Sequence, residues 1–263
     1  MLIELPLVSI VTPSYNQAKF LEATILSVLE QDYPRIEYFV MDGGSTDGSL
    51  EILQKYASRL SGWVSEKDQG QTDAINKGFA RSSGEILAWL NSDDTYEPGT
   101  VAAAVEALRA RGDIGMVYGD ANFIDENGRV IGRFPAAQTD ARRLRRGYVH
   151  IPQQASFWRA ELWKRVGPLD PAFYFAMDYD LWVRLSRLTR LEYLPGRTWA
   201  NFRLHSSGKS VADDSRCWPE MLKVHYRDGG TWFSMIQLKY IQRKALAPLW
   251  RLRMQQRLNK RKG

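Results

Sequence analysis

The chain has 263 residues, 44% of them hydrophobic and 25% charged, which is typical of a folded globular protein and excludes a disordered or fibrous one. No apolar run approaches the roughly 20 residues that a membrane-spanning helix needs, and no secretory signal pattern follows Met1. The lone cysteine, Cys217, excludes an internal disulfide and fits a reducing compartment. We therefore expect a cytoplasmic protein.

The charge is divided unevenly along the chain. Residues 216–263 contain 12 Lys or Arg and 2 Asp or Glu, whereas the remaining residues contain 24 and 28, so a mildly acidic body precedes a strongly basic tail. This asymmetry predicts a separate task for the tail. We expect two halves of one domain, residues 1–110 and 111–215, which differ in the character of their segments, followed by a basic amphipathic helical tail, residues 216–263.

The first half alternates short apolar runs with amphipathic segments. Strands are predicted at residues 7–12, 36–41, 63–64 and 85–90, and helices at about 19–31, 50–56 and 71–81, with a further helix from Pro98. Such alternation predicts an α/β fold, a Rossmann-like and mostly parallel central sheet flanked by helices.

Polar turns follow three of these strands, at residues 12–16, 42–47 and 91–94. Because the carboxyl ends of parallel strands share one edge of a sheet, we expect these turns to cluster there and to bind a ligand. The first strand is followed neither by a Gly-x-Gly-x-x-Gly pattern nor by a P-loop, which argues against dinucleotide and P-loop modes of binding.

Two adjacent carboxylates, Asp93 and Asp94, directly follow the buried fourth strand. Oxygen ligands at such a position suit Mg²⁺ or Mn²⁺ shared with the phosphates of a substrate. The alternative is a solvated turn that caps the next helix.

The second half has a different character. Strands are predicted at residues 116–118, 121–124, 130–134, 191–194 and 199–204, the second and third joined as a hairpin by Asn127-Gly128. The arginine-rich residues 142–146 indicate a solvated or anion-facing helix. A helix from Met177 places Asp178 in its first turn, where it can face a cleft, and directs Asp180 elsewhere.

Four motifs now occur in order: VSIVTPSYN, DGGSTDGS, GEILAWLNSDD and MDYDLW. Together they resemble family 2 glycosyltransferases, which are inverting enzymes with the A-type nucleotide-diphospho-sugar transferase fold. The resemblance covers residues 7 to about 210. It implies a nucleotide-diphospho-sugar donor and a glycan or lipid-linked acceptor.

The resemblance also implies roles for individual residues. The implied donor-binding residues are Thr12, Pro13, Tyr15, Asp42, Asp68, Asp73 and Asp93. Asp93 and Asp94 fall in the metal-binding region of the family, His205 falls where some members complete the metal or diphosphate site, and Asp178 falls at the catalytic base.

The chain departs from the family pattern at two positions. Gly43 stands where many members carry an acid that contacts the base, and Asn91 stands where a first Asp often occurs. Because of the departure at Gly43, the resemblance does not indicate which nucleotide base the donor carries.

Structural alternatives exist for several of these residues. Asp42 could tie its own turn, Asp73 could form a helix-surface pair with Lys77, His205 could be a structural residue, and Asp180 is the alternative base.

The tail mixes Trp232, Phe233, Ile236, Leu238 and other large apolar residues with lysines and arginines. Basic helices of this kind bind anionic membrane surfaces. The alternative is packing on the body or on a second copy of the chain. No nucleic-acid reader motif is present, so nucleic acid is not an expected partner.

Together these features predict a metal-dependent inverting glycosyltransferase of surface polysaccharide assembly, peripheral at the inner face of the membrane. The rival hypotheses are a non-catalytic nucleotide-sugar-binding scaffold and a sugar nucleotidyltransferase.

Overall fold

The computed structural model describes residues 4–209 and 216–245. Its first half consists of successive strand–helix units. The elements are β1 (Val8–Ser14), α1 (Ala18–Leu29), β2 (Ile36–Asp42), α2 (Ser49–Tyr56), β3 (Gly62–Ser65), α3 (Gln71–Arg81), β4 (Ile86–Trp89), β5 (Thr95–Tyr96) and α4 (Thr100–Ala110). Every residue of β1 and β4 is buried, because helices cover both faces of the sheet.

The second half adds longer strands and shorter helices. The elements are β6 (Ile114–Ile124), β7 (Val130–Arg133), α5 (Ala141–Arg145), β8 (Ser156–Arg159), α6 (Ala160–Val166), α7 (Met177–Leu185), β9 (Arg190–Arg203) and α8 (Cys217–Arg227). Residues 235–245 are also helical.

One sheet runs through both halves in the order β3-β2-β1-β4-β8-β6-β9-β5, with β7 paired to β6. The strands β1, β2, β3 and β4 are parallel, and β8 lies antiparallel between β4 and β6. The sheet is mostly parallel and flanked by helices, so the predicted fold class is confirmed.

Tertiary pairing changes several predicted boundaries. The helix expected at Pro98 begins at Thr100, because Thr95–Tyr96 first pairs with β9. The strands predicted at 116–118 and 121–124 are one strand, β6, as are those at 191–194 and 199–204, which form β9. Strand β8 was not predicted as a strand.

Three tryptophans fix α7 against the sheet. The ring of Trp89 in β4 stacks on that of Trp182 in α7 with centroids 5.9 Å apart, and Trp158 in β8 meets both rings edge-on. All three side chains are buried, and each such pair contributes about 0.5–1.5 kcal/mol beyond its burial. This cluster holds the first turn of α7 near the end of β4.

The first part of the predicted tail packs on the body. The Glu220 carboxylate in α8 accepts hydrogen bonds from the backbone N–H groups of Phe175 and Ala176, at 2.7 and 2.9 Å, just before α7 begins. Ile236 is fully buried. The tail residues after 245, including Leu249, Trp250, Leu252 and Met254, lie outside the described residues. Within the described part of the chain, no helix combines the length and apolarity that crossing a membrane requires.

Candidate active site

An open cavity of about 1110 Å³ lies at the carboxyl ends of the parallel strands. The residues after β1, β2, β3 and β4 form one side of it, and α7 and the segment after β9 form the other. The polar turns predicted to share one edge of the sheet therefore all reach it. Open α/β sheets bind their ligands at this position.

Of the three donor-binding residues predicted around the end of β1, two line the cavity. Pro13 and Tyr15 contribute to its wall, and the Tyr15 side chain is 62% exposed. Thr12 does not reach the wall, because its side chain is buried and its hydroxyl hydrogen bonds to the Tyr38 hydroxyl at 2.9 Å.

The Asp42 carboxylate is used inside its own turn. It accepts hydrogen bonds from the N–H groups of Gly44 and Ser45 and from the Ser45 and Ser65 hydroxyls. The residue is buried and does not line the cavity. This arrangement matches the structural alternative for Asp42, because the carboxylate stabilises its own turn and is not part of the cavity wall.

The two acids near the start of α3 differ in position. Asp68 lines the cavity. Asp73 lies outside the wall, where it accepts hydrogen bonds from the Gln69 N–H and from Lys77. The Gln69 N–H and Lys77 lower the pKa of Asp73 against a smaller opposing effect of burial. An ordinary helix-surface pair accounts for Asp73.

Asp93 and His205 meet directly. The Asp93 carboxylate lies 2.9 Å from His205 Nε2, and His205 Nδ1 lies 2.9 Å from the Ser207 hydroxyl. Asp93 is part of the cavity wall, whereas the His205 ring is buried beside Phe20 and is not. In this arrangement His205 orients the Asp93 carboxylate without itself being part of the cavity wall.

Asp94 is turned away from the cavity. Its side chain is fully buried, and its Oδ1 accepts a hydrogen bond from the backbone N–H of Arg203 in β9 at 2.9 Å. Burial, and then the neighbouring Asp93 charge, raise the pKa of Asp94 well above its usual range. Of the two acids predicted to bind a cation, only Asp93 reaches the cavity, because the Asp94 carboxylate is bonded to the Arg203 amide of β9.

Arg203 reinforces the same turn with its side chain. The guanidinium donates to the backbone carbonyls of Asp93 and Asp125 at 2.9 and 3.0 Å, and it lies over the Phe20 ring. It also forms part of the cavity wall. A buried cation thus fixes the shape of the loop that carries Asp93.

Asp178 lines the cavity from the first turn of α7, as the helical pattern predicted. It is half-buried, and its carboxylate accepts a hydrogen bond from the Tyr179 N–H at 2.6 Å. Burial raises the pKa of Asp178, while that N–H group and the charge of Lys209 oppose the rise. The result is a carboxylate more basic than an exposed one.

Asp180 lies on another face of α7. It is fully buried and forms ion pairs with Arg184 and with Arg227 of α8. It does not line the cavity, which removes it as the alternative base. The arginines at 142–146 are likewise absent from the cavity wall, and Arg145 pairs with Asp228 of the C-terminal segment.

A directed chain of side-chain hydrogen bonds crosses the cavity wall. Lys209 Nζ donates to Gln71 at 3.0 Å, Gln71 donates to Asn91 at 2.7 Å, and Asn91 donates to Gln153 at 3.2 Å. Lys209 also lies 3.6 Å from the centre of the Tyr174 ring. Burial lowers the pKa of Lys209 to about 8, although the Asp178 and Glu220 charges oppose this effect.

Sequence reasoning did not assign Gln71 or Gln153 to the site. The position of Gln71, a polar residue at the start of a helix that follows a strand-end loop, could have indicated that it belongs to the site. Gln153 precedes an antiparallel strand that was not predicted.

The site fits a cation that is shared with a ligand rather than one enclosed by protein. No group of three or more His, Cys, Asp or Glu side chains in residues 4–209 and 216–245 forms a metal cage. Mg²⁺ is commonly held by one or two carboxylates together with substrate phosphates. Asp93, placed at the wall of a large cavity, satisfies this requirement.

Comparison with known proteins gives a consistent result. Residues 9–167 match the profile described as glycosyl transferase family 2. An uncharacterized glycosyltransferase of Mycobacterium tuberculosis is 36% identical over 182 residues, covering 68% of this chain and 68% of its own length. A PGL/p-HBAD biosynthesis glycosyltransferase of Mycobacterium bovis is 32% identical over 183 residues, covering 68% of this chain and 69% of its own.

Solved structures share the fold. Staphylococcus aureus TarS in complex with UDP-GlcNAc superposes with a TM-score of 0.69 at 18% identity, over 84% of this chain and 66% of that one. The mannosyltransferase PcManGT of Pyrobaculum calidifontis, in complex with GDP-Man and Mn²⁺, gives a TM-score of 0.66 at 21% identity. The match covers 90% of this chain and 70% of PcManGT. A longer TarS chain is covered over 39% of its length, so this chain spans between two fifths and about two thirds of the TarS structures.

Proposed function

This chain belongs to glycosyltransferase family 2, and on that premise we propose that it is an inverting, metal-assisted transferase. It moves a sugar from a nucleotide-diphosphate donor to a hydroxyl group of a glycan or lipid-linked acceptor. The observation that carries the proposal is that Asp93 and Asp178 line one cavity from different elements, the turn after β4 and the first turn of α7.

Asp178 is the proposed general base. An acceptor hydroxyl is a weak nucleophile, so a carboxylate must take its proton as it attacks the anomeric carbon. Because burial raises the pKa of Asp178, its carboxylate is a better proton acceptor than an exposed one. Attack from the face opposite the leaving group inverts the anomeric centre and needs this single base.

The leaving diphosphate requires positive charge, because negative charge develops on it as the sugar–phosphate bond breaks. Four cationic residues line the cavity, namely Lys67, Arg203, Lys209 and Arg216. We assign this task to Arg203, which contacts the Asp93 carbonyl, and to Lys209, whose charge acts on Asp178. The hydrogen bond from Lys209 to Gln71 and the Tyr174 ring hold the ammonium group in place.

Asp93 would hold the divalent cation, with His205 fixing its carboxylate. When bound, Mg²⁺ or Mn²⁺ supplies positive charge to the diphosphate. The Mn²⁺ in the complex of PcManGT with GDP-Man supports this choice. The donors in the TarS and PcManGT complexes, UDP-GlcNAc and GDP-Man, support a nucleotide-diphospho-sugar donor.

The surface of the C-terminal segment supports the proposal of a lipid-linked acceptor. Trp232 and Phe233 are 73% and 99% exposed. Met235, Leu238 and Ile241 are also exposed and recur every three residues along the helical residues 235–245, which places them on one face. Buried Ile236 anchors the same helix to the body.

An anionic membrane surface matches this apolar face, because Arg243 and Lys244 lie beside it and the following residues 246–263 contain six Lys or Arg and no acidic residue. The enzyme would thus act on lipid-linked acceptors of surface polysaccharide assembly, as a peripheral protein at the inner face of the membrane.

Transfer is tested by measuring which product the protein releases from each of several nucleotide-sugar donors. The protein is incubated with Mn²⁺, a lipid-linked or glycan acceptor, and UDP-, dTDP- or GDP-sugars. We expect release of the nucleoside diphosphate, dependent on acceptor and abolished in Asp178→Asn. Pyrophosphate release would indicate a nucleotidyltransferase, and donor binding without any release would indicate a scaffold. The anomeric configuration of the product, read by NMR, tests inversion.

The membrane proposal has its own measurement. Sedimentation with vesicles of phosphatidylglycerol and phosphatidylcholine is compared for the full chain and for Phe233→Ser/Leu238→Ser. We expect the variant to bind severalfold more weakly, with neutral vesicles binding neither protein. Equal binding of both proteins, or a change of oligomeric state in the variant instead, would contradict it.

A further inference from the structure

A second cavity, of about 500 Å³, adjoins the candidate active site. It lies between the loop that precedes α7 and the helix α8, and Tyr174 and Arg216 line both cavities. Its other lining residues are Pro171, Ala172, Pro219, Glu220 and Lys223. All of these residues lie outside residues 9–167, which match the family profile, so membership of the family assigns this cavity no task.

Two contacts hold the loop against α8 and give the second cavity its shape. The Asp170 carboxylate accepts a hydrogen bond from Arg227 of α8 at 2.8 Å and another from the Ala172 N–H at 2.9 Å. Nearer the start of α8, the Glu220 carboxylate accepts the two backbone N–H groups that stand just before α7. Because both ends of the loop are held, the cavity does not need a ligand in order to form.

Two cationic residues stand on the face of α8 that borders the second cavity. Arg216, Glu220 and Lys223 follow one another at intervals of four and three residues, which places them on one helix face. The Glu220 N–H donates to the Arg216 carbonyl at 3.0 Å, so the helical geometry extends back to Arg216. At a rise of 1.5 Å per residue, the backbones of Arg216 and Lys223 are about 10 Å apart.

Both cations are available to a ligand. Arg216 and Lys223 are exposed, and within residues 4–209 and 216–245 neither belongs to an ion pair, in contrast to Arg227 on the same helix. Glu220 is the acid between them, but it is buried and its carboxylate is engaged with the two amide groups. The described residues of the cavity therefore carry a surplus of positive charge, which favours an anionic ligand.

A phosphate group fits this arrangement better than a carboxylate does. Its several oxygen atoms can accept a bidentate pair of N–H groups from Arg216 and also contact the ammonium group of Lys223, whereas one guanidinium group already satisfies both oxygens of a carboxylate. The volume of the cavity is within the range of about 300–1,000 Å³ that small-molecule sites occupy. The cavity is therefore suited to a phosphate and the unit attached to it.

The position of the second cavity indicates that this phosphate belongs to the acceptor rather than to the donor. Tyr174 precedes Asp178 by four residues, a separation of at most about 14 Å, and both residues line the main cavity. Asp93, the residue proposed to hold the cation of the donor, lines the main cavity but not the second one. A phosphate in the second cavity is therefore on the side of the proposed base.

The same helix leads to the apolar surface proposed to face the membrane. Trp232 follows α8 closely, and the centre of its ring lies 5.7 Å from that of Tyr226 in α8. Trp232 and Phe233 are both exposed. A molecule whose lipid end lies in the membrane can thus present a phosphate to α8 and a sugar to Asp178.

We propose that Arg216 and Lys223 bind the phosphate that joins the acceptor sugar to its lipid, while a hydroxyl group of that sugar lies at Asp178. The inference rests on the proposed function and names the charged group of the acceptor. The headgroup of a membrane phospholipid offers the same chemistry, so the source of the phosphate has to be tested as well as its binding.

The first experiment measures phosphate binding without turnover. Butyl phosphate, and butanol as its neutral counterpart, are titrated by calorimetry into protein saturated with Mn²⁺ and UDP or GDP, which occupy the donor end. We expect butyl phosphate alone to bind, and Lys223→Gln and Arg216→Gln each to weaken its binding severalfold. Lys164→Gln is the matched control, because Lys164 is an exposed lysine of α6 that lines neither cavity. No binding, or equal binding to the wild type and both cavity variants, would overturn the inference.

The second experiment compares two acceptors that differ only in the phosphate. For a sugar that accepts transfer, KM is measured with its alkyl phosphate and with its alkyl glycoside. We expect Lys223→Gln to raise KM severalfold for the phosphate form and to leave KM for the glycoside as it is in Lys164→Gln. Lys223 is the decisive residue, because Arg216 also lines the main cavity. An equal rise for both acceptors would indicate a structural role for Lys223 and contradict the inference.

Sedimentation with vesicles of phosphatidylglycerol distinguishes the acceptor from the membrane as the source of the phosphate. Lys223→Gln should bind these vesicles as Lys164→Gln does. Weaker binding with an unchanged KM would assign the cavity to a phospholipid headgroup and overturn the inference. Transfer only to acceptors without a phosphate would overturn it and leave the proposed function standing. If no donor supports transfer, the proposed function fails, while the titration with butyl phosphate still decides whether the cavity binds phosphate.

Discussion

Two regions of the molecule carry a pair of nearby acids, and the two pairs are divided in the same way. After β4, Asp93 lines the cavity while Asp94 is buried against the Arg203 amide. At the start of α7, Asp178 lines the cavity while Asp180 is buried between Arg184 and Arg227. In each region one acid is available to a ligand and the other holds the element that presents it.

The two buried acids differ in what satisfies them. Asp180 forms ion pairs with two guanidinium groups, those of Arg184 and Arg227. Asp94 receives a hydrogen bond from a backbone N–H, and burial raises its pKa. Removing the Asp180 charge takes one partner from two guanidinium groups, but Arg227 is exposed and still pairs with Asp170, and Arg184 still donates to the carbonyls of Val166 and Gly167. Removing the Asp94 carboxylate leaves the Arg203 N–H group without an acceptor and takes one acceptor from the Asn91 amide. The two removals therefore disturb different groups.

The largest expected effect is that of Asp178→Asn on transfer. Loss of a general base lowers kcat by about 10²–10⁴-fold. The amide still accepts from the Tyr179 N–H, so the melting temperature and donor affinity should stay near those of the wild type. Exposed Asp113, paired with Arg111, gives the control Asp113→Asn. Normal turnover by Asp178→Asn would remove this residue from the role of base.

Asp180→Asn should show the opposite behaviour. Losing hydrogen bonds between a buried carboxylate and charged groups costs about 1.5–3 kcal/mol, so the midpoint of urea unfolding should fall. Activity per folded molecule should be largely retained, since Asp180 does not line the cavity. Loss of activity with unchanged stability would reverse the assignments of Asp178 and Asp180.

Substitutions after β4 distinguish the role of Asp93 from that of Asp94. Asp93→Asn should lower transfer by about 10²–10³-fold, the cost of removing one electrostatic contact to the reacting group, and should weaken the response to Mn²⁺. Asp94→Leu should cost about 1–3 kcal/mol of stability, because the Arg203 amide loses its acceptor. If Asp94→Asn, which keeps an acceptor oxygen, abolished the Mn²⁺ response, then Asp94 would be a metal ligand.

The smallest expected effect is a pH dependence from Lys209. With a pKa of about 8, its ammonium group is mostly charged at pH 7 and mostly neutral at pH 9, so the charged form is lost as pH rises. Transfer by the wild type should therefore fall severalfold over this interval. Lys209→Arg keeps its charge there and should show a flatter profile. Asp178 and Glu220 are the acids that oppose this loss of charge. Parallel profiles for both proteins would exclude Lys209 as the source.

How far the sequence could predict this arrangement depended on whether contacts are local. The strand–helix alternation of residues 7–110 is a local pattern, and it predicted the strand ends that form the cavity. The separation of Asp178 from Asp180 followed from helix geometry alone, since residues two apart point to different faces. The burial of Asp94 did not, because its partner Arg203 lies 109 residues away in β9.

Other features also required tertiary structure. Strand β8 has few residues, and only its place between β4 and β6 makes it a strand. No local pattern could show that the Asp68 carboxylate occupies the space beside Gly43, because these residues are joined only by the pairing of β2 with β3.

The contact of Glu220 with the start of α7 limits how this chain can be recombined with its relatives. Its carboxylate receives two amide groups that stand directly before the turn carrying Asp178. A hybrid enzyme that takes its C-terminal segment from another member must therefore bring a matching acid at this position. Without one, the graft would loosen the start of α7 even if every residue of the cavity wall were kept.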